Sequence, residues 1–207
     1  MDKPHVLFGM YPRLVTTKDK ILEKTAILLR RHGHAKLGVV DVARALGMSH
    51  ANIYRHFSSK AALIDAIARQ WLGEIAVPLY EIASSKGDPS RRLRLWIVTL
   101  NRVLREKAIT EPEHFAMYIA IAEPARDVVL QHSEALIGSL AGLIGELGVP
   151  RPKAAARTVF DATLRYHHPV FMKNVQSETE LDALIALVLA GLRQQADKAA
   201  NRTEKLL

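Results

Sequence analysis

The chain has 207 residues, of which 49% are hydrophobic and 24% charged, enough to bury one large core or two small ones and too apolar for a disordered chain. It contains no cysteine, which excludes disulfides and thiolate metal sites. The formal net charge is +8 and unevenly placed: residues 1–60 hold 11 Lys and Arg against 4 Asp and Glu, whereas residues 61–207 hold 18 against 17. A basic end on a near-neutral body suits a phosphate-binding head carried on a separate scaffold, because neutralising phosphates releases counterions and gives affinity for any nucleic-acid sequence. A solvated basic surface is the alternative.

The first residues, MDKPHVLFGMYPRLVTTKDK, interrupt their apolar positions with Pro4, Gly9, Pro12 and Arg13. Residues 1–16 therefore read as a loose arm, neither a signal peptide nor a membrane span, and a cytoplasmic location is expected. From Thr17 the positions Ile21, Ala26, Leu28 and Leu29 predict a helix that stops at Gly33, after the pair Arg30 and Arg31. Val39 to Leu46 predicts a two-turn helix closed by Gly47. Ser49 then caps a third helix, HANIYRHF, in which Ile53 and Phe57, four apart, face inward and leave His50, Asn52 and Arg55 facing out. Two short helices joined by a tight glycine-containing turn, after a longer one, make a helix-turn-helix over residues 17–60, whose second helix enters the major groove.

The stretch GHAKLGVVDVARALGMSHANIYRHFSSKAAL resembles the amino-terminal DNA-binding domain of the TetR/AcrR family of transcriptional regulators, over about Thr17 to Leu63. The resemblance rests on the Val-Ala-Arg-Ala-Leu-Gly-Met-Ser run, Ile53-Tyr54, His56-Phe57 and the Ser59-Lys60 pair. It implies an all-α homodimer of about nine helices per chain: a three-helix DNA-binding domain, then a dimerisation and effector-binding domain over residues 61–207. The implied partners are double-stranded operator DNA, a second copy and an unidentified small-molecule effector, with no cofactor and no membrane. One departure stands at Leu37-Gly38, where the family usually has a capping threonine or serine; glycine is a tolerable cap. His50, Asn52 and Arg55 are candidates for base edges, since Arg suits guanine and Asn suits adenine in bidentate pairing. Tyr54, His56 and Lys60 resemble family positions that contact the DNA backbone, which position the protein and do not specify sequence. For each, an ordinary solvent-exposed side chain is the alternative.

The remaining chain reads as further helices. Leu63, Ile67, Trp71 and Ile75 mark one that runs from Lys60 into the low eighties and links head to body. SSKGDPS breaks it, and Pro89 opens the next, with Leu93, Trp96, Leu100, Val103 and Leu104 on its apolar side. A short helix from about Glu111 to Ala122 closes before Pro124, a longer stripe runs from Val129 to Leu147, and another helix spans about Pro152 to Lys173. The last begins at a Ser177/Glu180 capping box and carries Leu181, Leu184, Ile185, Val188 and Leu192 along one face. Its segment LIALVLAGL is too short to span a bilayer and too apolar to be exposed. Burial of those five residues against a partner subunit fits the resemblance, in which the last two long helices of each copy form a four-helix interface. Burial inside the monomer is the alternative.

Catalytic signals are weak. Glu111 to His114, EPEH, looks like half of a di-iron carboxylate site, but there is no second Glu-x-x-His pair. No HExxH, GxSxG, phosphate loop or Rossmann glycine pattern occurs. His167 and His168 are adjacent and so do not face the same way on a helix, which leaves any metal short of ligands. No catalytic residue and no metal site is assigned, and a helical enzyme remains only a rival reading. For the effector, Trp96, Leu100, Phe115, Tyr118, Leu136 and Tyr166 are expected as an apolar wall, with His132 and His167 as its polar groups. His132 interrupts an apolar stripe where another leucine would continue it; a core histidine bonded to a carbonyl is the alternative. The expected function is a repressor released from its operator by a mainly apolar molecule with one polar or anionic end, the rival being a DNA-binding protein without an effector.

Overall fold

Thr16 and Asp19 start the first helix by exchanging hydrogen bonds: the Asp19 N–H donates to the Thr16 hydroxyl at 3.1 Å and the Thr16 N–H to the Asp19 carboxylate at 3.0 Å. The computed structural model describes residues 16–168, 171 and 177–204, in which the elements are ten helices and no strand occurs among the described residues. The expected arm, save for Thr16, lies outside the described residues. The chain divides into two compact units between Leu63 and Ile64.

The first unit holds α1 (Thr17–Lys36), α2 (Val39–Leu46), α3 (His50–His56) and the first turn of α4 (Lys60–Ser84). α1 breaks at Gly33, whose φ of +75° only glycine adopts without strain. Gly38 has no side chain with which to cap α2; instead its N–H donates to the Asp41 carboxylate at 2.9 Å, so the reciprocal half of a capping box is present without the hydroxyl. Gly47, left-handed at φ +63°, ends α2, and the Met48 N–H returns to the Ala43 carbonyl at 2.9 Å. The Ser49 hydroxyl accepts the Asn52 N–H at 3.3 Å and starts α3. Ile21, Leu29, Val42, Ala43, Ile53, Phe57 and Leu63 are buried as the core of this unit.

The second unit contains the rest of α4, α5 (Pro89–Thr110), α6 (Pro112–Ala122), α7 (Arg126–Glu146), α8 (Pro152–Ala162), the one-turn α9 (Leu164–His167) and α10 (Glu178–Glu204). The Asp88 carboxylate caps α5 by accepting from the Ser90 and Arg91 N–H groups. α5 is the central helix, packing against α6, α7, α9 and α10 with Leu93, Trp96, Ile97, Leu100 and Leu104 buried. α7 is long and apolar enough to cross a membrane by length and composition, yet Leu136, Ile137, Leu140, Leu143 and Ile144 are buried where it packs on α5 and α8, as in a core helix.

The single helix expected from Pro152 to Lys173 is broken. Thr163, at φ −91° and ψ 0°, turns its hydroxyl back to the Val159 carbonyl at 3.0 Å and the Phe160 carbonyl at 3.1 Å, and only one helical turn follows. Such back-bonding competes with the helical ladder, a local choice that apolar periodicity does not register. Pro169 and most of the segment to Lys173 lie outside the described residues.

Arg92 ties the second unit together. Its buried guanidinium donates to the Ile82 carbonyl at 3.3 Å and to the Ala83 carbonyl, both at the end of α4, and meets the Glu146 carboxylate at the end of α7 at 2.5 Å. Replacing it strands those carbonyls, so Arg92→Met is expected to lose about 2–3 kcal/mol. Glu146 is half exposed, and Glu146→Gln is expected to lose less than about 1 kcal/mol. Urea unfolding followed by circular dichroism measures both.

Candidate functional site

Burial of Ile53 and Phe57 orients α3, because with those two side chains in the core the rest of its surface faces solvent. His50, Tyr54, Arg55 and His56 are exposed, Tyr54 by 51%, and Asn52 is half-buried. The Arg55 guanidinium donates to the Asn52 side-chain oxygen at 2.7 Å. The two residues expected at different base edges are thus joined: Asn52 holds the guanidinium through one of the two acceptor positions of its amide oxygen. Lys60 is placed differently from the other candidates. Its half-buried ammonium donates to the His34 carbonyl at 2.6 Å, in the turn that follows the break at Gly33, and ties the end of α1 to the start of α4. Two residues 26 apart in sequence carry no spacing signal for such a contact.

The second unit contains a half-open cavity of about 390 Å³ with walls from α4 to α9. Leu100, Tyr118, His132, Leu136 and His167 line it. Trp96, Phe115 and Tyr166, expected on the same wall, do not. The Trp96 indole N–H turns to the Ser139 hydroxyl at 3.3 Å, Phe115 packs 6.1 Å from the Trp71 ring, and the buried Tyr166 accepts the Asn101 amide at its carbonyl. Trp71, Leu72, Ile75 and Phe160 line the cavity in their place. In the sequence the first three residues of that group sit among the regular apolar stripes of α4, which do not separate a cavity wall from a core. Val129, His132, Ser133 and Leu136 form the α7 side of the wall, at the i, i+3, i+4 and i+7 spacing of one helix face.

No full charge lies among the lining residues except on Glu123 and Arg126, which are exposed and 3.7 Å apart. Burial pushes the His132 imidazole down to about 4. Burial also pushes His167 down to about 4, against the opposing pull of its contact with the Phe160 carbonyl at 3.1 Å, to which Nε2–H donates. Burial raises the Tyr118 phenol, so the hydroxyl keeps its proton. Among the described residues no group of three or more His, Asp or Glu side chains could hold a metal ion, and in the EPEH segment the Glu111 carboxylate lies 3.5 Å from the His114 ring within one turn.

The apolar face of α10 is divided. Leu181, Ile185 and Leu192 are buried within their own chain, where α10 packs on α5, so for these three the intramolecular alternative holds. Leu184 and Val188 are half-buried, and Leu187, which the heptad-like stripe passed over, is 73% exposed. Leu187, Val188 and Gly191 line a shallow groove with Ala154, Ala155 and Thr158 of α8, and Leu192 forms part of the same lining. One stripe of α10 fills the core and the neighbouring stripe looks outward.

Two histidines held neutral by the fold make stability depend on pH. Their folded values lie below the ordinary 6.5, so the stability they allow is present above that value and is lost as pH falls toward about 4. Between about pH 7 and about pH 5 the expected loss is about 2 kcal/mol for His167 and about 1 kcal/mol for the less buried His132. Urea midpoints at the two pH values measure it. His132→Leu is expected to shrink the difference, and equal midpoints for the wild type would contradict the assignment.

Two family models match the chain: the one for bacterial regulatory proteins of the tetR family over residues 21–67, and the one for the tetracyclin repressor-like C-terminal domain over residues 89–188. A helix-turn-helix-type transcriptional regulator of Mycobacterium tuberculosis is 26% identical over 188 residues, 89% of each chain. The nucleoid occlusion factor SlmA of Aliivibrio fischeri is 29% identical over 90 residues, 43% of this chain and 46% of that one. Among solved structures, Salmonella enterica GusR aligns with a TM-score of 0.62 at 17% identity, over 90% of this chain and 100% of that one. The fatty acid degradation regulator FadR of Bacillus halodurans aligns with a TM-score of 0.59 at 16% identity, over 84% and 93%. At those identities the structural likeness speaks to the fold, and the two family models cover most of the sequence. The chain belongs to the TetR family of transcriptional regulators, all-helical proteins that bind operator DNA and act as dimers.

Proposed function

We propose that the chain is a cytoplasmic repressor that holds double-stranded operator DNA as a homodimer and releases it when a small, mainly apolar molecule enters the body cavity. The observation that carries this reading is α4. The same helix begins at Lys60, bonded to the end of α1, and supplies Trp71, Leu72 and Ile75 to the cavity wall. A ligand that repositions the wall therefore acts on a helix rooted in the DNA-binding unit. The ligand must prefer the released conformation, since equal affinity for both states shifts nothing.

On DNA, α3 lies in the major groove with Arg55, steadied by Asn52, toward a guanine, and His50 toward a neighbouring base edge. Tyr54 and His56 reach phosphates, and Lys60 positions the α1 turn besides offering its remaining donors to the backbone. The homodimer forms through the outward stripe of α10 at Leu187 and Val188 with the small residues of α8; the exposure of Leu187 and the groove it lines with α8 support this reading.

Arg55→Ala is expected to relax preference at one base position and to cost about 1–3 kcal/mol on the cognate sequence, while Tyr54→Phe weakens all sequences alike. Gel shifts over a set of operator variants measure this, and uniform loss for Arg55→Ala would remove its reading role. Val188→Glu is expected to give a folded monomer in sedimentation, and a dimer that survives with full helical content would place the interface elsewhere. A small molecule that binds the body yet leaves operator affinity unchanged would remove the switch and leave a DNA-binding protein without an effector.

A further inference from the structure

Three polar side chains on the wall of the body cavity have no hydrogen-bond partner among the described residues. The Trp71 indole N–H is closed to water and has no acceptor. The Tyr118 hydroxyl and the His132 imidazole also make no hydrogen bond among the described residues but, unlike the indole N–H, are not closed to water. Elsewhere in the same unit buried polar groups are satisfied: Trp96 donates to Ser139, Asn101 to the Tyr166 carbonyl, Thr163 to Val159 and His167 to Phe160. Among the described residues the indole is the one buried side-chain group left without a partner, and on the same wall Tyr118 and His132 offer polar atoms that water, and so a guest, can reach.

The charge and shape of the lining narrow the ligand. Glu123 and Arg126 face each other at 3.7 Å on the exposed turn between α6 and α7, and Lys107, 5.9 Å from the Trp71 ring, is held by Glu74 at 3.0 Å. His132 and His167 are neutral, so the interior offers no counter-charge to an ionised guest, which would lose its hydration without replacement. Six rings contribute to the wall, those of Trp71, Tyr118, His132, Phe160, His167 and His168, and Trp71 stacks on Tyr118 at 3.7 Å. Flat walls favour a flat guest.

We propose that the cavity selects uncharged, flat aromatic molecules bearing one hydroxyl or carbonyl oxygen, and that this oxygen is held by Tyr118 and His132 beside the Trp71 indole. The inference rests on the reading of the cavity as the effector site. A hydroxyl matches a neutral imidazole, which has one donor and one acceptor to offer, and the Tyr118 phenol supplies a further donor.

The test is calorimetry of the full-length dimer at neutral pH with four probes of one shape: naphthol, naphthoate, naphthylmethylammonium and methylnaphthalene. Naphthol is expected to bind about tenfold more tightly than each of the others. His132→Leu is expected to bring naphthol to the affinity of methylnaphthalene while leaving the hydrocarbon unchanged. Should that variant fail to fold, the ranking of the four probes on the wild type decides alone. Naphthoate or naphthylmethylammonium binding as tightly as naphthol, or methylnaphthalene matching it, overturns the selection rule and leaves the cavity as a site. Failure of all four to bind removes the effector-site reading, and this inference with it.

Discussion

A polar group taken out of water has to find a partner, and much of this molecule is arranged by that demand. In the body, Arg92 sits where the ends of α4 and α7 leave carbonyls and a carboxylate in need of a donor. Asn101 and His167, both buried, each reach a backbone carbonyl. These pairings position α4, α5, α7 and α9 around the central core. Trp71, Tyr118 and His132, on the wall of the cavity, make no such pairing.

In the head the corresponding constraint is apolar. α3 is only seven residues long, too short to stand as an isolated helix, and depends on the burial of Ile53 and Phe57 and on its packing against α2. The same burial aims His50, Tyr54, Arg55 and His56 at solvent, so the fold of the head and its presentation of a polar, basic surface are one consequence of one pattern. Gly47 makes the turn tight enough for this, and Asp41 replaces the capping hydroxyl that Gly38 lacks.

Much of this is legible in the amino-acid sequence wherever a local signal decides the structure. The stops at Gly33 and Gly47, the Ser49 cap, the Pro89 start and the span of α2 all follow from residues within one turn of the feature. Contacts between distant segments are not legible in this way. Periodicity does not tell that Thr163 breaks a helix, that Lys60 is bonded to His34, or that Leu181 and Ile185 fill the chain's own core while Leu187 looks outward. For the cavity, Leu100, Tyr118, His132, Leu136 and His167 lie on the wall as the sequence suggests, whereas Trp96, Phe115 and Tyr166 pack elsewhere, because apolar periodicity does not separate a cavity wall from a core.

The family assignment, the basic head and the outward face of α3 converge on sequence-specific recognition of duplex DNA by a two-fold dimer. The most direct measurement is selection by the purified protein from a pool of random-sequence duplexes, followed by sequencing of the retained fraction. The account predicts enrichment of an inverted repeat whose half-sites lie about one helical turn, or a multiple of it, apart. Retention without enrichment, or enrichment of a single unrepeated site, would contradict it.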